Sequence, residues 1–391
     1  MDEIRRPVVL VTGASGYIGR EALGQLAATE GRGPLIALDV RETPGEDRLE
    51  GVEYLIGDVR DPGLAEVFRD HAVDTVVHLA SIVTPGRRPN RAFEHSVDVL
   101  GTRNVLEAAV ASGVGHFIVT SSGAAYGYYA DNPQPLHEDD AIRGNPEFAY
   151  SDHKRQVEEM LAEFRAVHPE LKQLILRPGT VLGARTRNQI TALFEKRFVL
   201  GLAGCDVPFV FIWDQDVAAC IVKGASERAE GIYNLAGDGT LTLKQIATRL
   251  GKPYVPIPVF VLKLALFLLH AVGASQYGPE QVNFLRYRPV LANERLKEEF
   301  GYPPASPRQR PSSSISTTGR RGMGSMEVVA IVGGAGGIGV ALGRCFGAEG
   351  AHVVLLDRDA EALERAREAL AGSVASLLTI PCDVTHPEAV V

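Results

Sequence analysis

An apolar run from Pro7 to Thr12, of the kind that fills a buried strand, passes straight into Gly13-Ala14-Ser15-Gly16-Tyr17-Ile18-Gly19 and then a helical stretch from Arg20 to Thr29. Strand, glycine-rich turn and helix in this order predict the opening of a doubly wound parallel sheet that binds a dinucleotide. Gly13 suits the tight turn. Gly16 lets backbone approach a pyrophosphate seated on the helix N-terminus, and Gly19 lets the helix pack closely on the strand. A second strand, Leu35 to Leu38, ends at Asp39. A carboxylate there binds ribose hydroxyls and repels a 2′-phosphate, which favours NAD over NADP. Arg41 stands close enough to blunt that preference, and the alternative role for Asp39 is a turn-starting acid.

The second informative stretch is Tyr150-Ser151-Asp152-His153-Lys154. Residues four apart share a helix face, so the ammonium of Lys154 lies one turn from the phenol of Tyr150 and favours its phenolate form. Many surface helices carry this pair; its weight comes from the nucleotide-binding signature upstream.

Between and beyond these stretches lie Gly57-Asp58-Val59-Arg60, His78-Leu79-Ala80-Ser81, Gly101-Thr102-Arg103-Asn104, Ser121-Ser122-Gly123-Ala124-Ala125-Tyr126-Gly127 and Arg177-Pro178-Gly179. With these motifs residues 7–304 resemble an extended short-chain dehydrogenase/reductase, the branch of NAD-dependent epimerases, dehydratases and hydroxysteroid-type dehydrogenases. The resemblance implies an α/β fold. A Rossmann sheet would span residues 1–178 and a smaller substrate-binding part residues 179–304. It implies a cofactor site of Gly13, Ser15, Gly16, Tyr17, Ile18, Gly19, Asp39, Arg41, Asp58, Val59, Leu79, Ala80, Ser81, Tyr150, Lys154 and Pro178, with Asp58 at the adenine. It also implies a catalytic set in which Ser122 holds the substrate oxygen, Tyr150 passes the proton, and Lys154 lowers the tyrosine pKa and binds the nicotinamide ribose.

The reaction is narrowed by absences. Dehydratases of this kind place Asp-Glu after the catalytic Thr; here Gly123 and Ala124 stand there, and neither is a base. Epimerisation or alcohol/ketone exchange remains, on an alcohol, ketone or nucleotide-sugar substrate. A catalytically idle NAD-binding scaffold is the remaining alternative. Thr180 replaces the Asn by which many sugar-nucleotide relatives grip their substrate, and Asp98 replaces the family's Asn before the Gly-Thr motif. Thr180 and the apolar stretch 259–269 lean towards a smaller or greasier substrate. Arg185, Arg187, Arg286 and Arg288, with Asn188, are the candidates for gripping a diphosphate; each is otherwise an ordinary surface charge. Asp216, in an Asp-Val-Ala stretch, reads as a helix cap.

A formal charge of −8 argues against a nucleic-acid face. The four cysteines are scattered without ligand-like spacing, which predicts no metal site and reduced thiols in a cytoplasmic protein. The first strand begins almost at Met1, which leaves no signal peptide. Val259 to His270 is too short to span a bilayer, so no stable membrane insertion is expected. Its simplest reading is a buried or substrate-capping helix, with a hydrophobic lid or a membrane-contacting face as the alternative. Helices near 91–112 and 148–168 carry apolar stripes, Val99, Val105 and Ala108 on one, Val157, Met160 and Leu161 on the other. In relatives the equivalent helices build a four-helix interface, which implies a homodimer.

Residues 305–325 are rich in Pro, Ser and Arg and read as a linker. Val328 to Val332 then runs into Gly333-Gly334-Ala335-Gly336-Gly337-Ile338-Gly339, and a later strand ends at Asp357. Residues 326–391 therefore repeat the β-α-β-α-β opening and resemble the start of a single-domain short-chain dehydrogenase, as in a truncated fusion or a frame accident. With one sheet face underfilled, this half-domain is expected to be marginal.

Overall fold

Val9–Thr12 (β1) is buried at all of its positions, which requires cover on both faces of its sheet. The computed structural model describes residues 6–83, 90–183, 194, 197–271, 278–279, 281–304, 328–348, 352–372, 374 and 376–382. Around β1 lie Leu35–Asp39 (β2), Val52–Ile56 (β3), Thr75–His78 (β4), His116–Thr120 (β5) and Lys172–Pro178 (β6). After β6 the chain forms the short strands Thr180–Leu182 (β7) and Phe211–Trp213 (β8), paired with each other, and then Gly231–Leu235 (β9). The main sheet has seven strands in the order β9-β6-β5-β4-β1-β2-β3, all neighbours parallel. Strand order reverses between β1 and β4, the place where such sheets receive ligands.

The crossovers supply Tyr17–Ala28 (α1), Leu64–Asp70 (α2), Arg91–His95 (α3), Thr102–Ala111 (α4), Ala149–Val167 (α5) and Asp214–Glu227 (α6). Alternate strand residues face opposite layers. Leu10, Ile36 and Phe117 pack with Phe68, Leu106 and Leu161 on one side. Val11, Ala37 and Ile118 pack with Leu23, Leu26 and Ile221 on the other.

The helix expected near 91–112 runs from Arg91 to Ala111, with a π-helical turn, Ser96–Gly101, inside it that carries Asp98 into the interior. A Cβ on Gly101 would stand 2.7 Å from Val59 Cγ2, so the close approach needs glycine. Val99, Val105, Ala108, Val157, Met160 and Leu161, read as an interface stripe, are buried in the protomer's own core. The stretch Val259–Ala271 (α7) is a helix, but Phe260, Leu264 and Phe267 are 73 %, 57 % and 57 % exposed, against the buried reading. It is apolar at nearly every position, and a helix lying on one surface buries only one stripe. Asp216 is also not a cap: Trp213 holds that position, and Asp216 lies in the first turn of α6, where it accepts the Tyr302 hydroxyl at 2.8 Å.

The chain divides into two compact units, residues 1–244 with 255–310 and residues 245–254 with 311–391. The linker expected over 305–325 lies outside the described residues. In the second unit Val328–Val332 (β10), His352–Asp357 (β11) and Ser376–Pro381 (β12) form a parallel sheet. Gly337–Ala348 and Ala360–Leu370 are its helices. Val329, Ile331, Val353 and Leu355 pack on Leu363, Ala366 and Leu370, whereas Val332, Leu378 and Ile380 are exposed.

Candidate active site

The turn after β1 is shaped by backbone proximity. Gly13 has φ +67°, and a Cβ there would meet the Ala80 amide nitrogen at 2.6 Å. A Cβ on Gly16 would stand 2.9 Å from the Gly13 carbonyl oxygen, and one on Gly19 would strike the same oxygen. Leu79 donates its amide to the Thr12 carbonyl at 3.1 Å and so holds the loop after β4 against the turn. Ile18 packs into the core beneath, and the Tyr17 hydroxyl donates to Asp214.

The Asp39 carboxylate closes this cradle. Its Oδ2 accepts the Ser15 amide at 2.9 Å, and its Oδ1 accepts the Arg41 amide at 3.0 Å. The Arg41 guanidinium lies 3.5 Å from Oδ1 and is mostly exposed. Asp39 is therefore an organised acceptor at the end of β2 as well as a turn-starting acid. Hydrogen bonds from Arg60, whose Nη2 is 2.6 Å from Oδ2, lower the Asp58 pKa. Val59 is buried beside Gly101, and Pro178 ends β6 opposite Leu235.

His78, at the end of β4, lies between Thr12 and Thr102 at 2.8 and 2.9 Å. Thr102 spends its proton on the Asp98 carbonyl, so it accepts from His78 Nε2, and His78 Nδ1 accepts from Thr12. Burial holds this neutral imidazole at about 3.

Ser122 and Lys154 flank Tyr150 as the sequence requires. Ser122, just past β5, accepts the Ala124 amide at 3.1 Å and hydrogen-bonds Tyr150. Lys154 is buried, donates to the Thr120 carbonyl at 3.0 Å and lies 5.6 Å from the Tyr150 ring centre. One expectation is corrected. Burial pushes the Tyr150 phenol up; the Ser122 hydrogen bond opposes this, and Asp98 and Tyr128 add to it. Burial also lowers Lys154, against the raising charges of Asp98 and Glu158. Desolvation thus favours the protonated phenol of Tyr150.

Behind this set Arg177 and Glu158 form a buried ion pair at 2.5 Å. Ser121 donates to Glu158, and Arg177 donates to the Tyr126 hydroxyl at 2.7 Å and the Glu138 carbonyl at 2.8 Å. The Arg-Pro-Gly motif pointed to Arg177; its partner Glu158 carried no sequence signal.

On the substrate side Thr180 accepts from Arg288 Nη2 at 3.0 Å. The guanidinium lies over the rings of Phe209 and Phe284, 4.5 and 4.6 Å from their centres, and Nη1 is enclosed without a hydrogen-bond partner among the described residues. Tyr128 and Phe148 continue the aromatic wall, 4.9 and 5.6 Å from Phe284. Arg286, singled out from the sequence, instead lies over Tyr287 at 4.9 Å. Arg185, Arg187 and Asn188 lie outside the described residues. Among the described residues no cluster of His, Cys, Asp and Glu could hold a metal ion, and no helix is long and apolar enough to cross a membrane.

The glycine cradle, which side chains would fill, and the fixed Asp39 acceptor fit a dinucleotide. Comparisons agree. Over 301 residues the chain is 27% identical to an uncharacterised protein of Mycobacterium tuberculosis, covering 76% of this chain and 80% of that one. It is 33% identical over 185 residues to the UDP-glucose 4-epimerase of Yersinia pestis, covering 45% of this chain and 54% of that one. The structure of Thermus thermophilus UDP-glucose 4-epimerase in complex with NAD matches with a TM-score of 0.52 at 27% identity, over 64% of this chain and 86% of that one. Residues 327–391 match the short chain dehydrogenase family. Residues 9–236 match the NAD dependent epimerase/dehydratase family, and the chain belongs to that family as an NAD-dependent enzyme.

Proposed function

We propose that the first unit transfers hydride between nicotinamide and a hydroxyl-bearing carbon of an anionic substrate. The observation that carries the substrate class is Arg288: a cation over two aromatic rings, with an enclosed N–H unpaired among the described residues, is completed by a phosphate or carboxylate. That argues against the greasier carbonyl substrate to which Thr180 and α7 lean. Bound NAD supplies the hydride acceptor. Ser122, hydrogen-bonded to Tyr150, orients the substrate oxygen, and the Tyr150 phenolate takes its proton. Lys154 fixes the ribose and, once the positive nicotinamide is present, stabilises the phenolate. Ser122, Tyr150 and Lys154, the residues to which this reading gives the chemistry, all lie in the first unit.

A second reading, reversible epimerisation of a nucleotide-sugar, is favoured by the same arginine and by the UDP-sugar-specific name of the Yersinia relative. Mass spectrometry of nucleotide released from the purified protein, together with NADH formation from UDP-glucose, separates the two. A dehydrogenase accumulates NADH. An epimerase retains NAD and converts UDP-glucose with no net NADH.

The assembly we infer is a cytoplasmic homodimer through the α3–α4 and α5 region, where Phe93 and Leu100 are 48 % and 50 % exposed. A monomer by light scattering at micromolar concentration would contradict it.

A further inference from the structure

The helix α7 carries an apolar face exposed among the described residues. Val259, Leu262 and Leu266 are half-buried and mark the side packed on the protein. At about 100° per residue, Phe260, Val261, Leu264, Phe267 and Leu268 share an arc of about 120° on the opposite side, and all of them are exposed. Lys263, also exposed, lies at the border between the two arcs. Exposed apolar residues scattered singly are ordinary on a protein surface, whereas a contiguous set on one helix face marks an interaction site.

Geometry and charge choose between the occupants of such a face. A lid that closes over substrate buries the inner stripe of its helix and leaves the outer one in water, so closure does not account for Phe260, Leu264 and Phe267. A second copy meeting this face about a twofold axis brings the same residues to both sides. The sequence from Gly239 to Pro279 holds Lys244, Arg249, Lys252 and Lys263 and neither Asp nor Glu, in a chain with 48 acidic and 40 basic residues. A self-contact therefore offers Lys263 no carboxylate from this stretch. An anionic lipid surface supplies the complementary charge, and its acyl region takes the apolar arc.

We propose that α7 docks the protein reversibly, in the plane of the interface, on an anionic lipid surface. Phe260, Leu264 and Phe267 enter the acyl boundary, and the Lys263 stem runs along the apolar face while its ammonium reaches the head groups. The 13 residues of the helix extend about 20 Å, short of the ~30 Å hydrocarbon core, so it lies on the bilayer and does not cross it. Docking of this kind is independent of the hydride-transfer chemistry.

The test is flotation of the full chain with vesicles of phosphatidylcholine alone or mixed with phosphatidylglycerol. The protein should bind the mixed vesicles at least ~10-fold better than phosphatidylcholine alone, and high salt should weaken that binding. Phe260→Ser/Leu264→Ser/Phe267→Ser should keep native circular dichroism, since these side chains are exposed, and should bind mixed vesicles at least ~10-fold more weakly. Lys263→Glu leaves the apolar arc intact and should weaken binding to the mixed vesicles several-fold, which supplies a second reading should the triple variant fail to fold. A wild type that stays in solution with both vesicles, or floats equally with both, overturns the proposal, as does a folded triple variant that floats like the wild type. A wild-type mass by light scattering, without vesicles, that halves in the triple variant assigns the face to a second copy and overturns it too.

Discussion

The Ser15 amide donates to Asp39 Oδ2 at 2.9 Å, and this bond joins the glycine turn to the end of the neighbouring strand. In the second unit the Ala335 amide donates to Asp357 Oδ2 at 3.2 Å, so the same device is built twice. In the first unit it fixes the carboxylate that we propose faces the ribose 2′ position. Asp39→Ala should lower the preference for NAD over NADP about tenfold, because a fixed anion facing a 2′-phosphate is removed. Binding titrations with both dinucleotides check this. A parent protein that already prefers NADP would show that Arg41 outweighs the carboxylate.

Arg288 offers a sharper separation of binding from stability. Its enclosed Nη1 has no partner among the described residues, and burial lowers its pKa, so the folded protein carries this cation at a cost. Arg288→Met should leave the melting temperature unchanged or raised. It should raise KM for a phosphate-bearing substrate at least ~10-fold, the value of a charge-assisted hydrogen bond. Unchanged KM with a lower melting temperature would assign Arg288 to the fold alone.

His78 makes stability pH-dependent in a known direction. Its folded-state value is about 3, against an ordinary 6.5, so the unfolded chain takes up the proton first as pH falls. The contribution of the neutral imidazole is complete above about 6.5 and is lost towards about 3, at up to ~1.4 kcal/mol per pH unit. Urea midpoints should therefore fall from pH 7 to pH 5, and His78→Asn should flatten that slope. An equal slope in the variant would place the acid sensitivity elsewhere.

Much of this was legible because it is local. The glycine turn, Asp39 and the Tyr150–Lys154 pair need only one strand, one turn or one helix to meet, and periodicity reports such contacts. What the sequence did not disclose depends on distant approach. Arg286 and Arg288 look alike as residues, and only the packing of Phe209 and Thr180 distinguishes them. Asp98 stands out in the sequence as a departure from the family's Asn, but its partner His153 is 55 residues away. Apolar stripes on α4 and α5 show that a face is covered, not whether core or partner covers it; here the core does. For a related reason the helix spacing reveals the ammonium beside Tyr150 but not the burial that pushes its phenol up.

The central claim is that Tyr150, set by Ser122 and Lys154, moves the proton that accompanies hydride transfer to NAD. Its most direct test is a single-turnover experiment in which the NAD-loaded protein is mixed with UDP-glucose and NADH absorbance is followed. The wild type should show a rapid rise, transient in an epimerase and lasting in a dehydrogenase. Tyr150→Phe should slow it about 10²–10⁴-fold while NAD affinity stays nearly the same, since the hydroxyl acts on the substrate and the ring only packs. A Tyr150→Phe protein that forms NADH at the wild-type rate would contradict the account.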